Sequence, residues 1–337
     1  MFSQLSLNQV GILACAIASL QILGEPAIQE KAGVVRVVKG HGASKFEGHV
    51  TSVSFSHDGK LAVSADMFGM VKVWEIPSLK EKGAFEASSG PGVKNWAHSA
   101  KFSPDDRYVV SGSGDKTVWV WDAASGKTIR RVRGHTEAVR HVFFFPDGNR
   151  VLSIDWNGLA LAWNLDGDDE PRRIELAAQP NRSLLCSHDA ATTKDRRKIV
   201  FSSREQTVLY DLEDDRELRT LGSRADALAI SPDGLHVAIA RDRDRSAPIE
   251  LCDTTTGQCL WKSPTHYRSA VAFTADGKRL LSISAGDLRL WDVENGDEIG
   301  RFAASKDSNV VCIDCSPDGH HALLGTSSGQ IILFRLP

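Results

Sequence analysis

The chain has 337 residues, of which 42% are apolar and 25% charged, and a formal net charge of −3. That composition is ordinary for a globular protein. The near-neutral balance leaves no electrostatic footprint for nucleic acid, and no stretch reaches the roughly 18 to 20 apolar residues of a membrane span.

The first 32 residues differ from the rest. Val10 to Leu23 reads VGILACAIASLQIL, and Ala16-Ile17-Ala18 has the small-x-small form of a signal cleavage site. No Lys or Arg precedes Lys31, so the basic region of such a signal is missing. Ile12-Leu13-Ala14-Cys15 has the outline of a lipidation box and meets the same objection. Export and a loosely ordered N-terminal helix on a cytoplasmic chain both stay open. Val34-Val35-Arg36-Val37-Val38 follows as a strand-like run.

From there one turn recurs: SHDG at 56–59, SPDD at 103–106, FPDG at 145–148, TKDR at 193–196, SPDG at 231–234, TADG at 274–277 and SPDG at 316–319. Its aspartates (58, 105, 147, 195, 233, 276 and 318) recur about every 43 residues, inside the ~40 to 45 of a four-stranded propeller blade. An aromatic or its substitute follows each by 15 to 19 residues: Trp74, Trp121, Trp163, Tyr210, Cys252, Trp291 and Phe334. Between them lie a short apolar run, a small polar cluster and an alternating run. A Gly- or Asp-rich hairpin and two further strands lead to the next turn. In SGSGDKTVWVWD at 111–122, Trp119 and Trp121 share one strand face.

These seven copies resemble the WD40 repeat family over about residues 33–337, with 1–32 a signal-like or disordered segment. The resemblance implies an all-β fold, a seven-bladed β-propeller of four-stranded antiparallel blades around a channel. The run at about 34–38 is expected to supply the outer strand of blade 7 and close the ring, so any signal cleavage falls before about residue 33. The resemblance also implies a buried hydrogen-bonded chain of His, Ser or Thr, Asp and Trp in the most regular blades. Blade 3 offers His135, Ser153, Asn157 in place of Asp, and Trp163. Blade 2 offers Ser111, Asp115 and Trp121, with Val93 at the His position. Blade 1 offers Ser64 and Trp74, with Phe68 at the Asp position and Gly48-His49 too close to the turn. Blade 6 keeps Ser282 and Trp291. Because an unsatisfied member of such a chain is costly, most blades are expected to be held by apolar packing.

Catalytic signals are weak. No His-Glu-x-x-His motif or phosphate loop occurs. Gly325-Thr326-Ser327-Ser328-Gly329 matches G-x-S-x-G but falls between two strands, without the helix a nucleophile elbow needs. Cys312-x-x-Cys315 is half a metal site whose two members have opposite strand parity. Asp166-Gly167-Asp168-Asp169-Glu170 lacks full calcium-loop spacing. With Glu213, Asp214 and Asp215 it is expected to form one acidic region on the hairpin face. Cys252 and Cys259 flank the hairpin DTTTGQ at opposed positions; they are bridged if the chain is exported, or are two half-buried thiols. The six cysteines, which include Cys15 and Cys186, do not form a dense disulfide framework. No cofactor and no metal are expected.

What the resemblance implies about function is protein binding, by the face opposite the hairpins. Nine residues before the turn aspartates stand His49, Trp96, Ala138, Arg224, Tyr267 and Asn309. The second set of turns adds Met67, Phe68, Trp156 and Arg204, and blade 5 carries Arg241-Asp242-Arg243-Asp244-Arg245. Two arcs result: Met67, Phe68, Trp96 and Trp156 in blades 1 to 3, and Arg224, Arg243, Arg245, His266, Tyr267 and Arg268 in blades 5 and 6. Aromatics and arginines are the residues enriched at binding hot spots. The expected function is a non-catalytic, monomeric scaffold that takes a partner segment with bulky anchors and acidic neighbours. The plain alternative has the tryptophans tucked against their own loops and the arginines paired with Asp242 and Asp244. An enzyme or small-ligand binder at the channel mouth, or a structural module of a larger assembly, are the other readings.

Overall fold

The recurring turn is a hydrogen-bonded unit that ends one strand and starts the next. A computed structural model describes residues 32–42, 48–87, 96–167, 170–176, 190–193, 195, 197–203, 206–241, 249–263, 270–284, 286–305 and 309–337. In six turns a hydroxyl donates to the aspartate two residues on: Ser56 to Asp58 at 2.9 Å, Ser103 to Asp105 at 2.6 Å, Thr193 to Asp195 at 2.6 Å, Ser231 to Asp233 at 2.5 Å, Thr274 to Asp276 at 2.6 Å and Ser316 to Asp318 at 2.5 Å. The aspartate then accepts an amide, such as that of Lys60 at 2.9 Å, and the hydroxyl accepts that of Leu61 at 2.9 Å. Gly59 takes φ +71°, a conformation glycine adopts without a Cβ penalty. Blade 3 replaces the hydroxyl with Phe145, and Asp147 instead takes the amides of Asn149 and Arg150.

These turns separate seven four-stranded antiparallel sheets. Blades 1 to 6 occupy residues 50–86, 97–132, 139–175, 190–223, 227–262 and 271–303; blade 7 joins 310–335 to 33–39. Among the described residues there is no helix. Strands a to d of each blade run outward from the channel. On each c strand the expected aromatic or substitute stands opposite the second residue of strand b: Trp74 faces Ala62, Trp121 Val109, Trp163 Val151, Tyr210 Ile199, Cys252 Val237, Trp291 Leu280 and Phe334 Ala322. All seven are buried.

The core lies between blades rather than at the centre. Seven apolar clusters each join one blade's b and c strands to the next blade's a strand, and the last joins blade 7 to blade 1. Trp119 and Trp121 stack with centroids 6.1 Å apart, and Trp121 also stacks on Phe85. This tryptophan pair is therefore part of the packing between blades 1 and 2.

Closure follows the expected route. Strand Gly33–Lys39 pairs antiparallel with Gln330–Arg335, the c strand of blade 7. The amides of Gly40 and His41 then both donate to the Gly329 carbonyl, at 2.9 and 3.0 Å. A Cβ on Gly329 would lie 2.2 Å from the His41 carbonyl oxygen, so only glycine admits this crossing.

The crossing delivers His41, and here three expectations are corrected. Blade 1 holds the most complete polar chain, built from His41 rather than His49 and from Asp66 rather than a residue at position 68. Trp74 Nε1 donates to Ser64 Oγ at 2.8 Å, Ser64 lies 2.6 Å from His41 Nε2, and His41 Nδ1 lies 2.8 Å from Asp66 Oδ2. Every donor meets an acceptor if the imidazole proton is on Nδ1. In blade 3 the acid is Asp155, not Asn157. His135 Nε2 lies 2.7 Å from Ser153 Oγ, which accepts from Trp163 Nε1 at 3.3 Å, while His135 Nδ1 is 3.5 Å from Asp155. In blade 2 no chain forms through Ser111 and Asp115. Ser111 Oγ is buried without a partner, and Asp115 takes the Thr117 amide and Arg131 at 3.0 Å each. The position equivalent to Asp66 and Asp155, the end of strand b, is Ser113 there. Blade 6 keeps its Trp291–Ser282 bond at 2.8 Å.

Candidate functional site

The same acids shape the upper face, where the loops between blades and the b–c turns lie. Asp66 Oδ1 accepts the amides of Phe68 and Met70 at 2.8 and 2.9 Å, fixing the turn that carries Met67 and Phe68. Asp155 Oδ1 accepts those of Asn157 and Leu159 at 3.0 Å each, fixing the turn that carries Trp156. Burial resists ionisation of Asp155 most strongly. The His135 contact and the Leu159 and Thr136 hydrogen bonds together outweigh it and hold its carboxyl below the usual range.

A repeated backbone bond then joins the two sets of upper loops. Met67 donates to the His49 carbonyl at 3.0 Å, Gly114 to Trp96 at 2.7 Å, Trp156 to Ala138 at 2.9 Å and Ser327 to Asn309 at 2.8 Å. His49 and Met67, and Ala138 and Trp156, drawn from the sequence as members of two separate series, are thus direct neighbours, and the same bond recurs in blades 2 and 7.

Trp96 is 42% exposed at the channel mouth. Its ring centroid lies 5.3 Å from that of His98. His98 Nδ1 accepts from Arg140 Nη1 at 3.1 Å, and the Arg140 guanidinium lies 4.5 Å from the Trp156 ring centre. Trp96, His98, Arg140 and Trp156 therefore form one continuous run across blades 2 and 3. Met67 and His49 line the same mouth from blade 1. Sequence reasoning found both tryptophans but missed the two residues that connect them. The available signal was position: His98 and Arg140 are each the second residue of an inner strand, two after Trp96 and Ala138.

The basic arc fares differently. Arg224 is half-buried and bonded to Asp226 at 2.6 Å, so it is tied within blade 5. Arg204, Arg243, Arg245, His266, Tyr267 and Arg268 lie outside the described residues, as do Asp242, Asp244, Val93, Cys15, Cys186, Asp168, Asp169 and everything before Ala32.

The remaining motifs resolve simply. Cys252 and Cys259 are register partners on adjacent strands and stand as free thiols; burial pushes Cys252 up to about 12 and also raises Cys259. Cys315 packs into the cluster between blades 6 and 7, and burial raises it and Cys312 to about 12. Of the expected acidic region of the hairpin face, Glu213, Asp214 and Asp215 each face an arginine. Arg172 faces Asp215 at 3.8 Å, Arg197 faces Glu213 at 3.5 Å, and Arg216 faces Asp214 at 3.3 Å. Among the described residues no three of His, Cys, Asp and Glu gather as a metal site, and no helix is long and apolar enough to cross a membrane.

His98 and His141 are held down to about 3, mainly by burial and then by the Arg140 charge. The turn aspartates are also lowered. At Asp58 the Lys60 amide leads and at Asp276 the Thr274 hydroxyl leads; at the other five burial opposes ionisation, and hydrogen bonds with nearby cations outweigh it. Both shifts act in the same direction. Below about pH 6.5 the unfolded chain takes histidine protons that the fold refuses, and below about pH 4 it takes aspartate protons as well. The urea midpoint is expected to be flat above about pH 7, to decline below about 6.5 and to fall steeply below about 4. A midpoint that rises between pH 6 and 3 would contradict these assignments.

A family model described as WD domain, G-beta repeat matches residues 34–75, 83–122 and 126–164. Each match takes in the outer strand of one blade and the three inner strands of the next. Human angio-associated migratory cell protein is 30% identical over 327 residues, covering 84% of this chain and 70% of that protein. The chain belongs to the WD40-repeat family. Other WD40 relatives match less of themselves. Autophagy-related protein 16 of Arabidopsis thaliana is 31% identical over 123 residues, 36% of this chain and 24% of that protein. Apoptotic protease-activating factor 1 of Rattus norvegicus is 25% identical over 287 residues, 81% of this chain and 22% of that protein. WD40 propellers in general are non-catalytic scaffolds for protein interaction.

Proposed function

We propose that this WD40 propeller is a non-catalytic platform that binds a segment of a partner protein on its upper face, at the channel mouth along blades 1 to 3. The observation that supports this most is the run Trp96–His98–Arg140–Trp156, with Met67 beside it. Such a run combines apolar area, a planar cation and few rotatable bonds, the properties of a binding hot spot. Phe68 belongs to the same surface through its place on the Asp66 turn. Arg224 is left out of it, because its charge is already matched by Asp226.

The test is affinity capture from a lysate with mass spectrometry, comparing wild type with the Trp96→Ala/Trp156→Ala double variant after circular dichroism shows the variant folded. Specific proteins are expected to disappear from the variant sample, with affinity lowered by about 2 kcal/mol or more. Identical captures would move the search to the hairpin face. If neither sample retrieves a protein, the channel itself, roughly 1260 Å³, becomes a small-ligand candidate.

A further inference from the structure

The inner strands of blades 1, 2, 3 and 7 share one irregularity. Register slips by one residue at their upper ends, between Val50 and Ser52, Ala97 and Ser99, Val139 and His141, and Val310 and Cys312. A bulge turns two successive side chains to the same side of a strand. In blade 3 those residues are Arg140 and His141, both partly exposed to the channel, whereas Val139 and Val142 on either side are fully buried. His98 holds the bulge position of blade 2, and Lys101 lines the channel three residues below it. The channel wall at blades 2 and 3 thus gathers two cations and two imidazoles.

We propose that this wall is a recess for a carboxylate side chain of the partner segment, held by His98, Arg140 and His141 with Lys101 beneath. The inference deepens the platform reading and rests on it. His141 Nε2 is buried and has no hydrogen-bond partner, so one ring nitrogen on this wall lacks what a carboxylate or its bound water would supply. Neutral imidazoles add donors without adding two more positive charges to crowd Arg140 and Lys101. The carboxylates that face the same channel stand on other blades and are engaged. Asp226 is bound by Arg224 at 2.6 Å, and Asp314 accepts the Phe55 amide at 2.8 Å. Lys101 donates to Ser54 at 3.3 Å, a neutral group. A channel of roughly 1260 Å³ is too wide to enclose a lone small anion, so tight binding there calls for an anion tethered from the mouth, where Trp96 and Trp156 flank the way in.

The full chain labelled with ¹⁵N in its histidine rings allows a direct test, with His98 and His141 assigned from His98→Gln and His141→Gln. The probes are acetyl-tetraglutamate amide, its glutamine counterpart and inorganic pyrophosphate. The glutamate peptide is expected to shift both resonances saturably. The glutamine peptide should bind about tenfold more weakly or worse, and Lys101→Met or Arg140→Met should weaken the glutamate peptide by a similar factor. Lys101→Met keeps the test open if Arg140→Met fails to fold. No saturable shift with the glutamate peptide, unchanged affinity in Lys101→Met, or pyrophosphate binding as tight as the peptide's would each overturn the inference, the last in favour of a free-anion site. The two readings fail separately. Partner capture that depends on Trp96 and Trp156, with tetraglutamate inert, removes the recess and leaves the platform. Capture indifferent to those tryptophans removes the platform whatever the histidines show.

Discussion

His41→Ala is expected to destabilise the propeller by about 3 kcal/mol and to lower the thermal midpoint by about 5 °C or more. His41 is the central member of the only polar chain among the described blades in which Trp, Ser, His and Asp all meet at 2.6 to 2.8 Å. Truncation leaves Asp66, 2% exposed, without its imidazole, and leaves the buried Ser64 hydroxyl without the Nε2 acceptor it donates to. The loss stays near the lower end for a broken buried pair because the amides of Phe68 and Met70 still hold Asp66. Ser111→Ala is the matched comparison. Its hydroxyl is equally buried but has no partner, so its removal is expected to be neutral within about 0.5 kcal/mol, or stabilising. Calorimetry on the two variants separates them. Equal losses would mean that the blade 1 chain adds nothing beyond packing.

Deleting residues 33–39 is expected to have a larger effect. The deletion uncovers the edge of Gln330–Arg335, whose sequence QIILFR pairs along its length with the missing strand. Ile331, Ile332, Leu333 and Phe334 are at most 1% exposed, so an unpaired edge here is both apolar and a template for other chains. The deletion also removes the anchor that brings His41 to Gly329 and Ser64. Loss of a cooperative thermal transition, or recovery as aggregate, is the expected result by calorimetry and size-exclusion chromatography. A monomeric variant melting within a few degrees of the full chain would show that blade 7 closes without its fourth strand.

The repeat was legible because its turn is local chemistry. A hydroxyl and an aspartate two residues on must be contiguous, so they survive as a visible motif even where the tryptophan has become Tyr210, Cys252 or Phe334. The polar chains were legible only in part, because their members come from different strands. Asp66 and Asp155 end strand b, directly before the turns in which the acid was sought, and each places its own turn by accepting two amides. His41 is not legible from local spacing, because position 41 depends on a chain crossing over Gly329, a long-range fact. Trp96 and Trp156 were legible as loop aromatics, whereas Arg140 and His141 were not. Period-two alternation puts neighbours on opposite sides of a strand, and only the bulge turns both to the channel.

The measurement that bears most directly on the proposed role is hydrogen–deuterium exchange on the propeller alone and in complex with a captured partner. The expected result is protection confined to peptides covering Met67–Phe68, Trp96–His98, Arg140–His141 and Trp156. Protection at the c–d hairpins around Asp166 and Glu213–Asp215, with the upper loops unchanged, would contradict it.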